Sequence, residues 1–289
     1  MIVALENAGR FLPSFNFKIK AERLRDFLLR SQDWLVDNIL GPDIEADLET
    51  LVEEGREDPH ERLRLVAGRA VFELAYLTAA AEMDLQLSEA GFVVQSNDQM
   101  SPASQQRVDR LVMSLNERLC WDCDYLVNYL MEHSVSQAIV DDYDKYADWR
   151  GTEQFANLTR AFVPTMRILK ESCRAMPVTQ WKDFLERQAA MAHTLHSTVA
   201  QYVSDAQIAT LLELYRDNEL GTAHHKAVQI IRRAVGAETE GLHDEAVRFA
   251  IEARSYMLKH ESDFPDFVDS DRYTLPDIDF GEGAVANML

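Results

Sequence analysis

The sequence predicts an all-α protein made of two tandem, related helical subdomains, with one small β-hairpin inserted in the first. Three observations carry this reading. Apolar residues recur at three- and four-residue steps through most of the chain, the spacing of one helix face. Glycine (11) and proline (8) are scarce among 289 residues, too few for a fold built from many tight turns. Short motifs of the N-terminal half also reappear in the same order in the C-terminal half.

The first helix is expected over residues 21–38, where Leu24, Phe27, Leu28, Trp34 and Leu35 form one apolar face. Gly41-Pro42 stops it, because glycine tolerates a positive φ and proline brings no N–H. A shorter helix over 43–54 carries Ile44, Leu48, Leu51 and Val52. The helix over 59–85 has a stripe of mostly small residues, Val66, Ala67, Ala70, Val71, Leu74, Leu77 and Ala81, suited to close packing. Pro59 fits its first turn. From Leu85 to Gln95 the period changes to two around Gly91, which reads as a short β-hairpin near 86–95. Ser101-Pro102 then reads as an N-cap with proline at the first helical position. The helix it opens carries Val108, Leu111, Val112, Leu115, Leu119, Leu126 and Leu130, to about Glu132.

A polar connector over 134–151 holds Tyr143, Tyr146 and Trp149, aromatics that a solvated linker has little use for. Helices follow over 152–176 and 179–203, then over 205–215, 222–235 and 242–259. Pro265 is expected to end the last, leaving an acidic, loosely held tail over 270–289.

The duplication is the most informative feature. Asp26-Phe27-Leu28 with Arg30 recurs as Asp183-Phe184-Leu185 with Arg187. His60 followed by Arg69-Ala70-Val71 recurs as His224 followed by Arg233-Ala234-Val235. Each copy reads as long helix, short helix, small-residue helix, loop and final helix. The copies divide the chain into 1–150, with the hairpin, and 151–269, before the tail. Only Gly236–Gly241 occupies the hairpin's place in the second copy.

The order of these elements resembles an uncharacterised family of duplicated helical proteins of gut-bacterial phages and prophages. Gly91-Phe92-Val93-Val94, Ser101-Pro102-Ala103-Ser104 with Arg107, the 146–149 segment, Phe155, Phe162 and Asp183-Phe184-Leu185 carry the likeness. It implies a virion or head–tail connector component and supplies no catalytic residues.

Composition bounds the function. Asp plus Glu (49) exceed Lys plus Arg (29), giving a formal charge of −20 and a pI near 4.7. Such a surface repels nucleic-acid phosphate, so no direct nucleic-acid binding is expected. No apolar run reaches the ~18 residues of a membrane span, and the N-terminus shows no signal-peptide pattern, so a cytoplasmic or virion location is expected.

No phosphate loop, dinucleotide fingerprint or nucleophile elbow occurs, and no catalytic residue, cofactor or metal is assigned. Cys120 and Cys123 have the spacing of half a zinc site or a redox pair. They sit inside a helical pattern with no second close pair, Cys173 being far off in sequence, and read as two small apolar residues on one face. His193 and His196, with Glu186 on the same helix, would share a face suited to a metal, but lack an HExxH or Glu-x-x-His pattern. His224 and His225 diverge by about 100° on a helix and chelate poorly. The acidic run 141–148, with the residues up to Gly151, has no glycine until 151 and three bulky aromatics (Tyr143, Tyr146 and Trp149), unlike a calcium loop.

Leu87, Phe92 and Val94, the apolar residues of the ribbon, are the candidate interaction residues. A two-stranded unit must pack on its own helices or on a neighbour. The expected function is a non-enzymatic assembly protein, a phage- or prophage-derived connector or other virion component. Its expected partners are proteins, including further copies in a ring or a basic surface. The alternatives are a helical-bundle metal or small-molecule enzyme using His193 and His196 in its core, and a binding module for a host protein.

Overall fold

The computed structural model describes residues 21–54, 61–83, 86–88, 91–93, 105–134, 146–175 and 178–274. Their contacts form two compact units. The first is Met1–Leu158 with Val178–Leu185; the second is Thr159–Pro177 with Glu186–Leu289.

In the first unit, α1 (Ala21–Leu35) runs into a π-helical turn, Val36–Leu40, and α2 (Pro42–Glu54) follows. Gly41 makes the corner at φ 79°, a conformation open to glycine, while its N–H donates to the Val36 carbonyl at 2.9 Å. The central element is α3 (Glu61–Met83), which packs against both α1 and α4 (Gln105–His133). Ala67, Gly68, Ala70, Val71, Phe72 and Ala75 are all buried, so α3 is covered around most of its circumference. Small side chains let both neighbours approach closely. A short 3₁₀ turn, Asp148–Gly151, leads into α5 (Glu153–Thr159). Two of the connector aromatics, Tyr146 and Trp149, are core, and Tyr143 lies outside the described residues: Trp149 is buried against Phe155 and donates its Nε1–H to the Ile39 carbonyl at 2.7 Å.

The second unit opens with α6 (Met166–Ser172). Helix α7 (Trp181–Thr194) begins in the first unit and continues in the second, through a π-helical turn, Leu195–Val199, and a last α turn to Val203. Then come α8 (Asp205–Arg216), α9 (Thr222–Thr239), α10 (His243–Leu258) and the short α11 (Pro265–Val268). Here α9 is the small-residue helix, packed on α10 and α6. At Gly236 a Cβ would stand 2.2 Å from the Ser172 carbonyl oxygen, so only glycine lets the two backbones meet. Ser204 makes the same kind of corner as Gly41, at φ 84° and ψ 145°, and its hydroxyl caps α8 by accepting from the Gln207 N–H at 3.2 Å.

Several expectations need correction. The fold class is all-α without a β component: every buried core side chain among the described residues lies in a helix or in a segment joining helices. At the expected hairpin stands only a three-pair antiparallel backbone pairing, Gln86–Ser88 (β1) with Gly91–Val93 (β2). It joins no further strand among the described residues and is shorter than an independently stable ribbon needs. The single helix expected over 152–176 is two, α5 and α6. Pro164 supplies no N–H, and Phe162 takes a left-handed φ of 60°, buried. The carbonyls released by the break are satisfied from within the unit: Arg232 Nε donates to Phe162 O at 2.6 Å, and Gln188 Nε2 to Val163 O at 2.8 Å. Pro265 does not end the last long helix, which stops at Leu258, but opens α11. The Ser101-Pro102 cap lies outside the described residues, as does the tail from residue 275.

Replacing Gly236 by alanine should lower stability by about 2–3 kcal/mol through overpacking on α6. Gly151→Ala, with nothing within 4 Å of the new Cβ, should change it by under about 0.5 kcal/mol. Urea denaturation followed by circular dichroism compares the two. Ser204→Ala should cost about 1 kcal/mol by losing the cap and keeping the strained φ, with Ser204→Gly less harmful, in the same assay.

Candidate functional site

Helix α4 carries both unusual features of the first unit, a buried polar cluster on its inner face and two large exposed apolar side chains, with exposed Glu117 between them, on its outer face. The direction of α4 follows from its contacts with α3. The Arg62 guanidinium lies over the Tyr125 ring at 5.0 Å, and Arg69, further along α3, reaches the earlier Asp122 on α4. The helices are therefore antiparallel. One-for-one pairing from those contacts puts the end of α3, at Met83, opposite the first turns of α4. Val108 and Leu111, expected in the core, are both exposed near this end of α4.

The inner cluster begins with Asp122, which accepts from both Nε and Nη2 of Arg69, the Nε bond being 2.6 Å. This two-point contact is the strong geometry for a guanidinium and a carboxylate. Burial nevertheless lifts the Asp122 carboxyl above its ordinary range, with the Arg69 bonds opposing it. The same bonds push the Arg69 guanidinium further up. Glu73, one turn along α3 from Arg69, is 0% exposed, and neither carboxyl oxygen has a hydrogen-bond partner. Loss of hydration, then the negative charge of Asp122, raise Glu73 to about 8, against the weaker pull of Arg69 and Arg118.

Both cysteines of the helix adjoin this cluster. Cys123 is wholly buried and its thiol is pushed well up by desolvation. Cys120 is pushed up to about 11, first by burial and then by Asp124, against the Trp181 backbone N–H, and its Sγ–H points to the Thr179 carbonyl at 3.6 Å. Thiols held neutral are poor nucleophiles and poor metal ligands. The spacing places Cys120 and Cys123 within one turn, as expected, but the surroundings suit neither zinc nor redox exchange.

The other sequence candidates do not converge. Cys173 sits apart, its thiol donating to the Gly236 carbonyl at 3.6 Å and raised by burial to about 11. His193 and His196 are exposed rather than in a core, and the π turn starting at Leu195 separates their setting. His196 Nδ1 lies 2.6 Å from Asp205 Oδ1, and Glu186 is exposed. His224 caps α9, accepting from the Gly221 N–H at Nδ1 and donating from Nε2 to the Asp263 carbonyl at 2.8 Å. The beginning of the acidic run, 141–145, lies outside the described residues. So do Val94 and the side chains of Leu87 and Phe92. Among the described residues no group of three or more His, Cys, Asp or Glu side chains comes together to hold a metal ion.

The outer face of α4 presents Trp121, 76% exposed, and Met113, 63% exposed. Eight residues apart, they project within about 80° of each other at 100° per residue. Neither was singled out by periodicity, because a lone apolar residue off the stripe carries no periodic signal. The Arg69–Glu73–Asp122 cluster was legible only as one carboxylate inside an apolar run (Val71-Phe72-Glu73-Leu74-Ala75) and another between two cysteines.

The described residues define an all-helical protein of two units with no helix long and apolar enough to cross a membrane. Residues 20–157, which span α1 to most of α5, match the model of a family of unknown function (DUF6712). No curated protein and no solved structure matches the chain.

Alkylation by iodoacetamide at pH 7.5 should be more than about tenfold slower for Cys120 and Cys123 in the folded chain than in urea, because so little thiolate forms. Mass spectrometry of the labelled peptides measures it. Arg69→Met should cost about 1–3 kcal/mol in urea denaturation, since it strands the Asp122 carboxylate between helices.

Proposed function

We propose that this chain is a non-enzymatic structural or assembly protein, a phage- or prophage-derived head–tail connector or other virion component, whose contacts run through the outer face of α4. The observation that carries the reading is Trp121, three-quarters exposed on a long helix with Met113 on the same side. Tryptophan and methionine are enriched at protein interfaces and depleted from ordinary charged surface. The inner polar groups of α4 support the reading too, since Asp122 is committed to Arg69 and the Cys120 and Cys123 thiols are held neutral. The resemblance in element order to duplicated phage proteins supports the connector class, and the family match at 20–157 agrees with its coarser part.

A formal charge of −20 keeps unassembled copies apart in solution and favours a basic partner surface. Closure into a ring would use one heterologous contact repeated head to tail. The ribbon at 86–93 has no part in this proposal.

Trp121→Ser with Met113→Ser should leave the far-ultraviolet circular dichroism and urea midpoint within error, because both side chains are already in water. The same pair should weaken self-association at least about tenfold in light scattering after size exclusion. Unchanged association, or a wild-type chain that stays monomeric at high concentration and binds no virion protein, overturns the reading.

A further inference from the structure

We propose that Glu73 is a buried proton-binding carboxyl that makes the first unit pH-responsive, its α3–α4 packing holding while Glu73 carries a proton and loosening when the proton leaves. The geometry carries it. Glu73 is fully enclosed, yet neither Oε1 nor Oε2 has a hydrogen-bond partner. Arg69, one turn away on α3, is engaged through its Nε and Nη2 with Asp122. An ionised Glu73 would thus be a bare charge in a sealed site beside a second carboxylate. A protonated Glu73 carries no net charge and is much cheaper to bury.

The groups around Glu73 set the sense of the response. From α4, Asp122 and Arg118 act on it, and the Cys120 and Cys123 thiols, which in turn feel its charge, are both neutral through the range that matters. Glu117 and Asp124 act on the Cys120 side of the cluster. From α1, also packed on α3, Arg25, Asp26, Arg30 and Asp33 are all exposed. In the segment 178–185, Trp181 is buried and uncharged while Lys182 and Asp183 are exposed. Only Arg69 and Arg118 favour the ionised form, and burial with Asp122 outweighs them, leaving Glu73 at about 8.

The sign follows from linkage. The folded chain holds a proton on Glu73 that the unfolded chain releases near an ordinary glutamate value of 4.5. The stabilisation is fully present below that value and is lost as pH rises through about 8. Between those limits the folding equilibrium constant falls by up to about tenfold per pH unit from this group alone. Histidines and other groups also titrate in that range, and comparison with Glu73→Gln cancels them.

The test measures urea denaturation of the full chain and of Glu73→Gln at pH 5.5, 7.0 and 8.5. Glutamine keeps the shape and cannot ionise. The expected result is a variant whose advantage over wild type grows with pH, by at least about tenfold in equilibrium constant from 5.5 to 8.5. Parallel pH profiles, or a variant less stable than wild type at pH 8.5, overturn the proposal. Should Glu73→Gln not fold, infrared difference spectroscopy of the wild type between pH 6 and 9 decides. Loss of a protonated-carboxyl band in that range supports the proposal, and its absence overturns it.

Discussion

Each unit depends on one constraint, the burial of a helix whose side chains are small enough for its neighbours to reach its backbone. In the first unit this is α3, enclosed by α1 and α4 through Ala67, Gly68, Ala70 and Ala75. In the second it is α9, where Ala227, Ala234, Gly236 and Ala237 are buried and Gly236 meets the backbone of α6. Close approach brings many weak contacts to their optimum separation. It also leaves little room for error, so any group enclosed by α3 must be either apolar or fully matched. Glu73 is neither, and its protonation is the compromise that the packing imposes.

The other polar side chains in these interiors show how matching is achieved. Asp122 takes a two-point contact, Trp149 finds a carbonyl, and Gln188 and Arg232 satisfy the carbonyls freed where the chain breaks at Phe162 and Pro164. Two units thereby solve the same problem, a backbone that must leave helical geometry inside a core. Before Gly41 the solution is a widened turn that runs straight into one residue at positive φ, and before Ser204 a widened turn followed by one α turn, Ala200–Val203; a new helix follows each. Glycine takes that conformation freely. Serine takes it at a cost offset by its hydroxyl, which caps the helix that follows.

Much of the helical plan was legible in the sequence because periodicity is a physical signature of a half-buried helix. Residues 21–38, 43–54, 205–215 and 222–235 were read to within a few residues of α1, α2, α8 and α9. The misreadings have particular causes. Pro164 was passed over in a run that otherwise looked helical. Val108 and Leu111 have the spacing of a buried face, yet both are exposed near the start of α4. Period-two alternation over 85–95 suggested a β component in what is a helical fold. The candidate site was less legible still. Glu73 hides in an apolar run, Asp122 between two cysteines, and nothing in a linear sequence brings positions from two antiparallel helices together. Trp121 was visible only as part of a cysteine motif, and its exposure depends on which face of α4 the core selects.

The division of the chain bears on its synthesis. The first unit takes residues 178–185 from beyond a stretch, 159–177, that belongs to the second. A ribosome delivers residues in order, so the first unit stays incomplete until the beginning of α7 has emerged, by which time α6 is already made. Early exposure of the α4 surface around Cys120, which the 178–185 segment contacts through Thr179 and the Trp181 backbone, is therefore built into translation. A chain stopped short of residue 178 would lack the piece that closes it.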